Sequence, residues 1–275
     1  MKELRGAVAV VTGAGSGIGR ALAQELASHG AQLALADVNG TALHETLTLL
    51  GSMTARAYTV DIADPSAVEE FAQRVTCDFK RVSLLINNAG VALHGTFAEV
   101  SIADMEWLFR INFWGVVHCC KAFLPLLQQA PEAHIVNMSS IFGLVGPPGH
   151  AAYASSKFAV RGFTEVLRHE LKSTNVHVSC VHPAGVQTAI ADNARIGDRA
   201  SPQEATLLRE RFKKLASTSP AAAARQIVKG ILRNRSRILV GADAYRIDAI
   251  QRLAPSHGVD ALISMMEKRA LTLVH

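Results

Sequence analysis

Residues Ala7–Gly19 read AVAVVTGAGSGIG, and the change of character at Thr12 decides how the whole chain is organised. The five leading side chains are small and aliphatic with no polar alternation, as expected of a strand covered on both faces. Four glycines among the next eight residues then leave the backbone bare. Such a run either lets a phosphate approach the main chain at the start of a helix or forms only a flexible turn. The spacing is TGxxxGxG from Thr12 to Gly19 rather than GxGxxG, since Ile18 and Arg20 stand where a third glycine would fall.

Moving outward, further short apolar runs alternate with amphipathic stretches. Strands are predicted at Gln32 to Asp37, Ala55 to Asp61, Ser83 to Asn87, His134 to Ser139, His177 to His182 and Arg237 to Gly241. Helices are predicted to begin near Gly17, Thr41, Pro65, Ser101, Tyr153 and Pro220, several opened by capping residues or proline. Strand and helix in alternation over this many units predict an α/β fold: a doubly wound, Rossmann-like parallel sheet of about seven strands with helices on both faces. The 275 residues, 49% hydrophobic and 19% charged, suit a single domain over 1–275.

Composition excludes several classes. The net charge of +5 is spread in short clusters, so no nucleic-acid-binding stripe is expected. No apolar run reaches a membrane-spanning length. Cys77, Cys119, Cys120 and Cys180 form no CxxC pair, so they read as reduced packing residues of a cytoplasmic protein, and no metal is expected.

Asp37 ends the second predicted strand, 20 residues after Gly17. A carboxylate there accepts hydrogen bonds from an adenosine ribose and repels a 2′-phosphate, which favours NAD over NADP; the alternative is a helix cap. A second constellation is Tyr153-Ala-Ser-Ser-Lys157, whose phenol and ammonium share one helix face. A neighbouring cation lowers a phenol's pKa and fits it for proton transfer. Ser139-Ser140 and Asn87-Asn88-Ala89-Gly90 close two strands at the carboxyl edge of the sheet, where ligands of such folds bind. Only one of the two serines can point at the tyrosine, because adjacent strand residues face opposite ways.

Together, TGxxxGxG, NNAG, a serine thirteen residues before the tyrosine, and YxxxK resemble the short-chain dehydrogenase/reductase family, in its single-domain form, over roughly residues 5–245. The resemblance implies Tyr153 as general acid/base, Lys157 on the nicotinamide ribose and lowering the tyrosine pKa, Ser140 on the substrate oxygen, and Asn112 in a proton path. It implies NAD held by Gly13, Gly15, Ser16, Gly17, Ile18 and Gly19, by Asp37, Asp61, Ile62, Asn88, Ala89 and Gly90, and by Tyr153 and Lys157. It adds Pro183, Gly185, Val186 and Thr188 near the nicotinamide, with Ala184 departing from the family's glycine. The expected substrate pocket is apolar, with candidates Leu93, Ile141, Phe142, Leu144, His150 and Ile190.

The expected activity is NAD-dependent interconversion of a secondary alcohol and a ketone. The rivals are an NADPH-dependent 3-oxoacyl-type ketoreductase and a non-catalytic dinucleotide sensor. The polar stretch 188–219 is expected to be a substrate lid, and 246–275 an extension outside the resemblance. By analogy the chain is expected to form a homo-oligomer, and Trp107 and Trp114 read as packing or subunit contacts. His182 reads as structural.

Overall fold

A computed structural model describes residues 1–51, 55–197, 210, 214 and 216–272, with side chains to 265. In chain order the strands are β1 (Val8–Thr12), β2 (Gln32–Asp37), β3 (Ala55–Thr59), β4 (Leu84–Asn87), β5 (Leu93–His94), β6 (Ala133–Met138), β7 (Val176–Pro183), β8 (Arg195–Ile196) and β9 (Arg237–Val240). The helices are α1 (Gly17–Ser28), α2 (Gly40–Leu50), α3 (Pro65–Phe79), α4 (Ile102–Phe109), α5 (Gly115–Gln128), α6 (Ala151–Glu170), α7 (Pro220–Leu232), α8 (Ala242–Leu253) and α9 (His257–Thr272).

Seven strands form one parallel sheet in the order β3-β2-β1-β4-β6-β7-β9. The unbroken hydrophobicity of the strands has a direct cause. Ala9, Val11, Leu33, Leu35, Leu84 and Ile86 enter one core with α1, α2 and α7, while Val10, Ala34, Ala36, Leu85 and Ile135 enter the other with α3, α5 and α6. Both faces of the central strands are therefore dry. Strand order reverses between β1 and β4, so the loops after these strands diverge and leave a crevice at the carboxyl edge.

The caps explain why the helices start where they do. Asn39 accepts from the Ala42 amide, Asp64 from Ser66 and Ala67 ahead of Pro65, Ser101 from Asp104, and Ser219 from Ala222 ahead of Pro220. Helices α1, α3 and α7 begin at Gly17, Pro65 and Pro220 as the sequence predicts; α2, α4 and α6 begin within two residues of their predicted starts.

Three elements depart from expectation. The helix from Ser101 is interrupted by a π-turn at Arg110–Trp114 before α5 begins. The tail folds into α8 and α9, whose Ile247 and Leu262 pack on Leu144 and Val145. The segment after Thr188 is not wholly irregular: β8 pairs in parallel with β5, and Val186 bridges Thr218. The remainder of the expected lid, 198–209, 211–213 and 215, lies outside the described residues. Among the described residues no helix is long and apolar enough to cross a membrane, and no cluster of metal-ligating side chains occurs.

Candidate active site

Beyond β1 the chain needs glycine for stated reasons. Gly13 and Gly17 have φ of +65° and +53°. A methyl group on Gly19 would lie 2.0 Å from the Gly13 carbonyl oxygen, and one on Gly13 would lie 2.7 Å from Ala89 Cα. The loop is thus folded tightly on itself and on the end of β4. Thr12 Oγ1 accepts the amides of Asn88 and Ala89, both at 3.1 Å, and Asn88 Nδ2 donates to the carbonyls of Thr12 and Gly13. Asn88 and Ala89 accordingly buttress the loop from behind. Thr12 completes that buttress, a role its place in the motif left unassigned. Ser16 stands at the N-cap of α1, yet its side chain caps nothing, so the first-turn amides have no side-chain acceptor.

Asp37, at the end of β2, accepts the Gly15 amide at 2.8 Å through one oxygen and the Asn39 amide at 2.9 Å through the other. The helix cap of α2 is Asn39 and not Asp37, which leaves the carboxylate at the loop. Arg20, the nearest cation in the motif, is turned away to the Gly15 and Ala42 carbonyls, Thr46 and Glu45. Asp61 accepts the Ala63 amide, and Ile62 is buried where Gly115 has no side chain.

Asn112 owes its position to the π-turn. One extra residue in a helical turn rotates the downstream side chains by about 100° relative to an uninterrupted α-helix. The fully buried Asn112 amide group accepts from the Val91 amide at 2.8 Å and donates to the Val91 carbonyl and to Ser156 Oγ. Ser156 in turn donates to the Tyr153 carbonyl. Gly90 is small because a methyl group there would sit 3.1 Å from Asn112 Oδ1 and 3.3 Å from Lys157 Nζ.

At the end of β6 the two serines part company. Ser139 Oγ donates to the Lys157 carbonyl at 2.8 Å. Ser140 Oγ accepts the Phe142 amide at 3.1 Å and acts electrostatically on the Tyr153 phenol. Ser140 is therefore the serine at the tyrosine. Lys157, 4% exposed, donates to the Met138 carbonyl and lies 5.7 Å from the Tyr153 ring centre. Burial pushes its ammonium down to about 8. Burial also raises the Tyr153 phenol, and Ser140 opposes that rise. In the protein alone, desolvation of the phenol outweighs the opposing contribution of Ser140.

Ala184 is buried, donates its amide to Val240 and is not among the left-handed residues, so its methyl group fits without backbone strain. Pro183 and Gly185 flank it, Val186 is buried in the core, and Thr188 lies against Gly17. Among the substrate candidates, Leu93 packs with Tyr153, and Phe142 lies edge-on to both Tyr153 and His150. Ile190 is partly buried in the segment leading to β8. Leu144 faces elsewhere: it is 2% exposed and packs on Ile247 and Leu262, with Ile141 against the same cluster. His94, which the sequence did not single out, meets His150 edge-on at 5.2 Å. The two tryptophans also separate. Trp107 lies 3.6 Å beneath the Arg195 guanidinium and anchors β8, whereas Trp114 is half exposed and stacks on His118.

A parallel sheet that gathers serine, tyrosine and lysine at its carboxyl edge, beside a crowded glycine loop, defines a short-chain type of oxidoreductase. Residues 7–198 match the family described as short chain dehydrogenase, and the chain belongs to that family. SadH of Mycobacterium tuberculosis, named as an oxidoreductase, is 42% identical over 260 residues, 93% of this chain and 94% of that one. D-threitol dehydrogenase of Mycolicibacterium smegmatis is 35% identical over 212 residues, 76% and 82% of the two chains. A short-chain dehydrogenase/reductase from Burkholderia phymatum, crystallised with NAD, has a TM-score of 0.83 at 33% identity, covering 92% of this chain and 95% of that one.

Proposed function

We propose that this protein is an NAD-dependent dehydrogenase that interconverts a secondary alcohol and a ketone of moderately hydrophobic character. The observation that carries the reading is the meeting of Tyr153 with Ser140 and the buried Lys157, whose Nζ lies 5.7 Å from the tyrosine ring centre.

The residues fit a dinucleotide. The uncapped start of α1 and the bare loop from Gly13 to Gly19 suit a pyrophosphate, drawn by free amides and the helix dipole. Asp37 has lone pairs left for ribose hydroxyls, and its charge opposes a 2′-phosphate with Arg20 already engaged. Lys157, beside the Tyr153 ring, would meet the nicotinamide ribose, with Asn112 bracing Val91 and Ser156 behind it. The NAD in the Burkholderia phymatum relative supports the same choice.

When bound, the nicotinamide supplies the acceptor or donor of hydride. The protein's part is orientation and proton management. In oxidation Tyr153 takes the hydroxyl proton of the alcohol, Ser140 donates to the substrate oxygen, and Lys157 supplies positive charge beside the phenolate. In reduction Tyr153 returns that proton to the carbonyl oxygen. Leu93 and Phe142 make the wall beside Tyr153 apolar, hence the preference for a hydrophobic substituent.

The test is nicotinamide absorbance with purified protein, NAD or NADP, and secondary alcohols from short aliphatic to steroid-sized. Turnover with NAD is expected, and Tyr153→Phe is expected to abolish it while NAD binding persists. Retained turnover in that variant would remove the assignment. We further propose a homo-oligomer. Phe158 and Val166 on α6, with Ile102 and Phe97 near α4, are exposed apolar side chains, and Gly162 between the first two faces open space. Sedimentation giving a monomer mass at micromolar concentration would refute it.

A further inference from the structure

We propose that His182 is a positioning residue for Ser140: its Nδ1–H holds the Ser140 carbonyl and thereby aims the serine hydroxyl at Tyr153. The proposal rests on the dehydrogenase reading of that serine and tyrosine.

His182 stands next to last in β7, and its ring is fully buried. Nδ1 lies 3.0 Å from the Ser140 carbonyl oxygen. A carbonyl can only accept, so Nδ1 carries the proton and Nε2 is bare. Nε2 has no hydrogen-bond partner among the described residues. The whole polar role of the ring thus runs through one atom. Burial, with Arg237 and Arg161 nearby, outweighs the opposing Ser140 bond and Asp248, pushes the imidazole down to about 4 and keeps it neutral.

That bond acts on a turn already organised around the serine. The Ser140 carbonyl also accepts the Gly143 amide at 3.0 Å, closing the turn Ile141–Gly143, and Ser140 Oγ accepts the Phe142 amide from inside the same turn. Backbone and hydroxyl therefore rotate together. At the far end the Gly143 carbonyl accepts from Arg161 Nη1, and Arg161 belongs to an ion-pair chain through Glu165, Arg237 and Asp248 that joins α6, β9 and α8. His182 is the restraint at the serine end.

The chemistry of the ring sets the test. An asparagine amide nitrogen falls near the place of Nδ1, and a glutamine amide near that of Nε2. His182→Asn is expected to keep kcat within about threefold of the native enzyme, whereas His182→Phe and His182→Gln are expected to lose roughly tenfold, the scale of one aligned hydrogen bond, with nucleotide affinity unchanged. Native kcat in the Phe or Gln variant, or an Asn variant no better than Phe, would overturn the proposal. Tyr153→Phe assayed alongside reports on the dehydrogenase reading: turnover surviving there defeats that reading and not the restraint itself. Spectra of 15N-histidine-labelled protein read the restraint without substrate. A neutral Nδ1–H tautomer, assigned by its loss in His182→Asn, is expected; an Nε2–H tautomer would overturn it.

Discussion

Asp37 and Gly15 are joined twice: the carboxylate accepts the Gly15 amide, and the same oxygen occupies the space that a Gly15 side chain would fill, 2.8 Å from the position of its Cβ. The residue on which the proposed NAD preference rests is therefore also the brace of the glycine loop. Asp37→Asn retains an acceptor for Gly15 and removes the charge. It is expected to shift the ratio of kcat/KM for NAD to that for NADP toward NADP by roughly tenfold, about 1.4 kcal/mol. Asp37→Ala removes the brace as well and is expected to weaken both nucleotides. An unchanged ratio in Asp37→Asn would show that charge is not what discriminates.

Gly19→Ala places a methyl group against a backbone carbonyl, where no flexible side chain can yield. The loop must open to admit it. A loss of about 1–3 kcal/mol is expected, as for other overpacked sites, read as a lower thermal midpoint and a weaker NAD affinity together. Gly146→Ala, which meets open space and has no left-handed backbone, is the matched control. Equal midpoints in the two variants would contradict the packing described for Gly19.

Two buried histidines give stability a pH dependence of defined sign. His182 is pushed down to about 4 and His134 to about 3, both first by burial. Unfolding exposes them to water, where they bind protons near 6.5, so the unfolded state holds more protons as pH falls below that value. Stability is complete above about 6.5 and is lost as pH falls toward 4. Each histidine contributes a slope approaching about 1.4 kcal/mol per pH unit in that window. His134→Gln is expected to reduce the slope measured by urea unfolding between about pH 6.5 and 5; an unaltered slope would mean that His134 is protonated in the folded state.

Much of this arrangement was legible in the sequence because it depends on local pattern. Unbroken aliphatic runs announced strands buried on both faces, and Pro65, Ser101 and Pro220 announced helix starts. Ser140 was reached through its spacing from Tyr153, and the structure adds the reason, since Ser139 is spent on the Lys157 carbonyl. The features that stayed hidden depend on register and distant contacts. No residue type marks the π-turn at Arg110–Trp114, which separates Trp107 under Arg195 from Trp114 on His118. Leu144 read as a pocket residue because it lies close after Ser140, but the tail helices claim it. The two-residue pairing of β5 with β8 is too short to leave a periodic trace. His182 read as structural beside Pro183, and its bond to the Ser140 carbonyl, 42 residues away, left no mark in the sequence.

The strand order also fixes when the two halves of the crevice become available to a growing chain. Strands β1, β2 and β3 are contiguous in sequence and adjacent in the sheet, so the glycine loop and Asp37 meet once about the first sixty residues exist. The Ser140 side is different. β6, which leads into Ser140, lies between β4 and β7, so its pairing awaits residues near 183, and the outer side of β7 awaits β9 near residue 240. Until then the exposed rim of β1 and, later, of β7 offers unpaired backbone of the kind that recruits other chains. Synthesis from the amino end thus pairs the strands around the glycine loop and Asp37 first, and flanks the strand that leads into Ser140 only after β7 has emerged.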